Sequence, residues 1–114
     1  MKRQKRVEAI VLGAFEEQVM LGVVRTAAEA YGMNVRRELE AVTGREVTIG
    51  SVYATLDRLE AKGLVTSSRA AADSDVPSRR MFIVTPAGAQ SLVLTRTTRD
   101  RLWNGVNVRM LLEV

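Results

Sequence analysis

The chain has no histidine and no cysteine among its 114 residues. Those absences remove the usual ligands of structural zinc, iron–sulfur clusters and haem, so neither a metal nor a cofactor is expected. They also remove Ser-His-Asp and Cys-His catalysis and any disulfide framework. Aromatics are scarce, with one Trp, two Tyr and two Phe, so the core must be packed from Leu, Val, Ile, Ala and Met. No apolar run approaches the roughly 18–20 residues of a membrane span, and Ile10–Phe15 is too short for a secretory hydrophobic region. A cytoplasmic protein that does not engage membranes is expected. Carboxylate or lysine chemistry stays open, yet no such groups are paired along the chain, and an enzyme is not expected.

What is present fits one domain with an extra arm or helix, burying roughly 65% of its unfolded surface. The hydrophobic fraction of 46% is ordinary for a globular chain. A net charge of +4 invites a nucleic-acid reading, but Lys2, Arg3, Lys5 and Arg6 alone supply it. With those four set aside, thirteen basic side chains balance thirteen acidic ones, and the body is neutral. A basic arm binds phosphate without sequence preference, and a solvated terminus explains the same six residues equally well. Local placement has to decide.

The first apolar segment, Val7–Leu12, reads as a short helical lead-in. Phe15–Glu29 reads as a helix with Val19, Met20, Leu21, Val23, Val24 and Ala27 over a wide arc, covered on more than one side. Asn34–Thr43 is a second helix with Val35, Leu39 and Val42 on one face, closed by Gly44. Glu46–Ile49 is a short extended piece. Thr48 is a suitable N-cap for a third helix running to Lys62-Gly63. Its Ile49, Val52, Leu56 and Leu59 fall within an arc of about 80° and form a core stripe. Ser51, Ala54, Thr55, Arg58 and Lys62 take the opposite face, with Tyr53 at the border.

Leu64–Arg69 and Arg80–Thr85 are strand-like, and the small, polar stretch between them contains Pro77, which makes a hairpin with a long tip. Pro86 then opens a last helix to Asn104-Gly105, with a short final piece after it. The order predicts a mainly α fold with a small β-hairpin: a winged helix-turn-helix at 12–85, preceded by a basic arm and lead-in at 1–11 and followed by a C-terminal dimerisation helix at 86–114. In this arrangement the third helix is sized for the major groove and the hairpin reaches an adjacent groove or backbone.

Several runs sharpen that reading: Tyr31-Gly32, Val35-Arg36-Arg37-Glu38-Leu39, Ile49-Gly50-Ser51-Val52-Tyr53, and Leu56 through Val65. With Arg79-Arg80-Met81-Phe82-Ile83-Val84-Thr85-Pro86-Ala87-Gly88, they make residues 12 to 90 resemble the PadR family of transcriptional regulators. A single C-terminal helix is similar to the family's short subgroup. The sequence departs from the family with Ala54 where proline is frequent and Met81-Phe82 where paired tyrosines are frequent. Asp73 and Asp75 in the tip disfavour phosphate approach.

The resemblance implies a homodimer, probing double-stranded DNA at a roughly palindromic operator through its third helices and acting as a repressor. It places the Ser51 and Tyr53 hydroxyls near phosphates, and makes Thr55 and Arg58 candidates for base-edge or backbone contact. Arg69, Arg79 and Arg80 flank the wing as candidate phosphate ligands. Each has a plainer reading: Ser51 serves the helix start, Tyr53 caps the core edge, and Arg58 is an exposed charge between Asp57 and Glu60. A winged helix used only for protein–protein contact is the alternative function.

The last helix is mixed. Ala89, Leu92 and Val93 are apolar, Thr95–Arg101 is polar with net +2, and Leu102, Trp103, Val106, Met110, Leu111 and Leu112 are apolar again. Such ends need a partner, and the expectation is packing on a second copy's first helix and leading segment, with a helix of the chain's own core as the alternative. The resemblance implies that small planar apolar compounds can sit between such helices, which makes Trp103, the only tryptophan, a candidate wall of an effector pocket; plain dimer packing is its simpler reading.

Overall fold

A computed structural model describes residues 8–69 and 80–113. The basic residues 2–6, Arg79, and the tip with Asp73 and Asp75 lie outside the described residues. Helix α1 (Ala14–Thr26) starts at Gly13, whose N–H donates to the Glu16 carboxylate at 3.0 Å. Glu16 and Glu17 sit in its positively polarised first turn. The expected helix to Glu29 stops three residues early. Ala27 takes φ 50°, and the chain finishes as a 3-10 turn over Ala27–Glu29.

Helix α2 (Gly32–Thr43) buries Val35 and Leu39 and ends on Gly44 in the left-handed region at φ 69°. Helix α3 (Ile49–Ala61) is capped by Thr48, whose hydroxyl accepts the Ser51 N–H at 3.1 Å. Val52, Leu56 and Leu59 are fully buried and meet Val19, Met20 and Val35 in the core. Lys62, just past α3, donates to the Glu16 carboxylate at 2.9 Å and ties the helix end to α1. That bond holds the Glu16 carboxyl below the usual carboxylate range.

Strands β1 (Val65–Arg69) and β2 (Arg80–Val84) pair antiparallel, with Val65 opposite Val84 and Arg69 opposite Arg80. The segment before α2 adds an edge, because the Phe82 N–H donates to the Ala30 carbonyl at 3.0 Å. Phe82 is the largest fully buried side chain. Helix α4 (Pro86–Trp103) begins with Pro86 behind the cap Thr85, which accepts the Gly88 N–H at 3.0 Å. Gly88 lies hard against β1's approach: a Cβ there would sit 2.0 Å from the Leu64 carbonyl oxygen. A short α5 (Arg109–Leu112) follows. The whole is a winged helix-turn-helix with a C-terminal helix.

Two expectations change. The lead-in is not helical over its described residues; its Ile10 and Leu12 N–H groups donate to Ser91 Oγ at 3.0 Å and Thr95 Oγ1 at 2.9 Å. Partners at every second residue suit extended backbone, not a helix. These bonds, with the pairing of α1's Glu17 to Arg99, put this chain's own lead-in and α1 on α4. The buried Ser91 and Thr95 are therefore not available to a second copy.

Candidate nucleic-acid interface

Helix α3 lies across the core with its outer side clear. Gly50, Ala54, Asp57, Arg58 and Ala61 are exposed, and Ser51 and Tyr53 flank them half-buried. Nothing lies within 4 Å of a Cβ built on Gly50. The outer surface is small at Gly50, Ala54 and Ala61, where another molecule can come close to the helix backbone, and charged at Asp57 and Arg58. Ser51 donates its hydroxyl to the Thr48 carbonyl at 2.8 Å, so it does serve the helix start. Tyr53 packs on the core edge with its ring over Gly32; a Cβ on Gly32 would sit 2.5 Å from the Tyr53 ring.

Thr55 is a correction. The expectation that it lies on the outer face does not hold, and it is 2% exposed. With Val52, Leu56 and Leu59 it completes the i, i+3, i+4, i+7 set that faces a core, which the apolar residues alone left one member short. Its hydroxyl accepts from Arg58 Nη2 at 3.2 Å, which aims the Arg58 side chain back along the helix.

The two described wing arginines differ. Arg69 is exposed and has no carboxylate partner among the described residues. Arg80 donates to Asp57 at 3.1 Å and to Glu60 at 2.8 Å, and its guanidinium stands 4.9 Å from the Phe82 ring centre. The expected phosphate ligand is thus already held by two carboxylates. Asp57 and Glu60 are the carboxylates that the sequence reading leaves without a role. A signal was present: both sit in the second half of α3, where acids oppose the helix dipole and need another reason to be there.

Away from α3, an open groove of about 480 Å³ runs between α1 and α4, with Glu17, Leu21, Leu92, Val93, Arg96, Arg99 and Asp100 on its walls. Asp100 also belongs to a second groove, of about 520 Å³, beside Trp103, Thr97, Arg101 and Asn104. Trp103 is half exposed there. Among the described residues no helix is long and apolar enough to cross a membrane.

Residues 20–93 match the model of the transcriptional regulator PadR-like family. The chain is 36% identical over 86 residues to transcriptional regulator Rv3488 of Mycobacterium tuberculosis, covering 74% of this chain and 78% of that protein. Its fold is similar to two solved complex structures. One is of hsRosR-S4, with TM-score 0.67 and 27% identity over 87% of this chain and 80% of that one. The other is of hsRosR-S1, with TM-score 0.63 and 27% identity over 90% and 86%.

Proposed function

The chain belongs to the PadR-like family of transcriptional regulators, and from that premise we propose that it is a repressor. It binds a roughly palindromic operator in double-stranded DNA as a homodimer and blocks a promoter. The observation that carries this reading is the outer face of α3, small and open at Gly50, Ala54 and Ala61 and edged by Ser51, Tyr53 and Arg58. Small side chains let a helix sit deep in the major groove, and the hydroxyls and Arg58 supply positioning contacts. Arg69 supports the wing side. Thr55 acts only through Arg58, and the roles of Arg79 and residues 2–6 remain with the DNA experiment.

The second copy docks on the exposed apolar side of α4, and the groove beside Trp103 takes a small planar apolar effector. Such a ligand changes promoter occupancy only by binding the two arrangements of the reading heads unequally. Loss of effector affinity in Trp103→Ala, followed by the quenching of Trp103 in the parent chain, is the check.

The direct test is fluorescence anisotropy with the protein's own promoter against scrambled DNA across a salt series. Promoter preference at dimer stoichiometry, falling steeply with salt, supports the reading. Weak, sequence-blind binding that disappears on deleting residues 2–6 leaves the neutral body as a protein-interaction module.

Two glycines give sharper outcomes. Gly50→Ala is expected to raise stability by about 0.5 kcal/mol, because alanine is the better helix former and the space is open. The same change is expected to weaken promoter binding about fivefold or more, since the added methyl faces the groove floor. Gly32→Ala is expected to push the Tyr53 ring aside at a cost of about 1–2 kcal/mol. Promoter affinity falls with it, whereas Tyr53→Phe at the same site separates the hydroxyl from the ring. Urea unfolding and anisotropy, run on each variant, read both quantities.

A further inference from the structure

We propose that Glu60 sets the angle between the recognition helix α3 and the wing, with Arg80 as its strut and not as a phosphate ligand. The proposal rests on the DNA-binding reading above. Glu60 lies in the last turn of α3 and holds both strands of the hairpin with one carboxylate. Its Oε2 accepts the Ser67 N–H at 3.0 Å and the Ser67 hydroxyl at 2.8 Å, both from β1. Its Oε1 accepts from Arg80 Nη2 on β2 at 2.8 Å.

Arg80 is fixed from further sides. Its Nη1 reaches Asp57 one turn earlier on α3, and the ring of the fully buried Phe82 lies beneath its guanidinium. Its side chain is 25% exposed. The three charges of Arg80, Asp57 and Glu60 leave the wing base with a net −1. A DNA phosphate would have to compete for Arg80 with two carboxylates already in place and oriented on it. The link from α3 to β1, Lys62-Gly63-Leu64, fixes only the base of the hairpin, where the Gly63 and Leu64 N–H groups donate to the Glu60 and Leu59 carbonyls at 2.9 Å and Leu64 is buried; farther out, at Ser67 and Arg80, the Glu60 carboxylate is what ties the strands to α3. The carboxylate brace makes the helix and wing one rigid reading head.

The test uses the full chain with promoter DNA and four variants: Glu60→Ala, Glu60→Gln, Arg80→Gln and the Glu60→Ala/Arg80→Gln double. Each of Glu60→Ala and Arg80→Gln is expected to weaken promoter binding about tenfold, with the double variant no weaker than the singles, as coupled partners behave. Glu60→Gln, which still accepts from Ser67, recovers part of the loss. The salt dependence of Arg80→Gln stays at the parent slope, because a strut releases no counterions from DNA. A hydroxyl-radical footprint keeps the central backbone protection and loses the flanking protection under the wing.

A slope reduced by about 0.9 per protomer in Arg80→Gln identifies a phosphate contact and overturns the proposal. So does a Glu60→Ala protein that binds more tightly, its Arg80 having been set free. If Glu60→Ala does not fold, the Arg80→Gln slope alone decides. A parent protein without promoter preference is a different failure, which removes the DNA reading and this proposal together.

Discussion

Replacing Gly88 by alanine is expected to cost about 3 kcal/mol or more and to lower the thermal midpoint by about 15 °C. A Cβ at this position would sit 2.0 Å from the Leu64 carbonyl oxygen and 2.9 Å from Val84 Cγ1. A side-chain tip can swing away from such a contact, but a backbone carbonyl in the core cannot. Leu64 is fully buried, and its carbonyl also accepts the Thr85 N–H at 3.1 Å. Lifting α4 to make room pulls on that bond and on the Thr85 hydroxyl's 2.7 Å bond to the Gly63 carbonyl. Urea or thermal unfolding followed by circular dichroism measures the loss. Gly50→Ala, the same substitution in an open part of another helix, supplies a control with the opposite sign. A Gly88→Ala protein as stable as its parent would mean that α4 does not pack against Leu64 in this way.

The second large effect concerns assembly. Val93→Asp is expected to turn a dimer into a folded monomer and to lower promoter affinity about a hundredfold or more. Val93 is 66% exposed and shares the α1–α4 groove with Leu21, itself 42% exposed. Leu102, Trp103, Met110, Leu111 and Leu112 continue the exposed apolar set along the end of the chain. These side chains touch too little of their own domain to be covered by it, and an apolar surface of this extent marks an interaction site. A carboxylate placed there loses its hydration when a second copy docks, while the free protomer is not disturbed. Two half-sites read by unlinked protomers lose the advantage of a common anchor. Light scattering and anisotropy, measured at the same protein concentrations, report the two outcomes together. A parent chain that is already monomeric, or a Val93→Asp protein that still dimerises and binds, removes the α4 interface from the account.

What was readable in the sequence were the features governed by near neighbours. Thr48 capping α3, Lys62-Gly63 ending it, and Pro86 opening α4 all act within a few residues of themselves, and all stand where local chemistry puts them. The core stripe Val52, Leu56 and Leu59 was readable because periodicity alone defines a face. Thr55 was misplaced because a hydroxyl in the fourth slot of that stripe looks polar, while its single hydrogen bond from Arg58 satisfies it inside. The lead-in was misread because the hydroxyls that hold it extended belong to α4, far along the chain. Arg80 was read from the sign of its charge. Its two carboxylate partners on α3 are about a helical turn apart, but 20 and 23 residues from it in sequence, and only the folded hairpin brings them within reach.

The lead-in's bonds also bear on the order in which the molecule assembles. Ile10 and Leu12 find their acceptors 81 and 83 residues away, among the most distant hydrogen-bonded pairs in the described chain. Closing so large a loop is entropically unrewarded until α4 already stands on the winged body. During synthesis this segment emerges well before α4 and is secured only after it. Until then its two N–H groups bond to water, and they exchange that water for the Ser91 and Thr95 hydroxyls only when the helix carrying them has been made and docked.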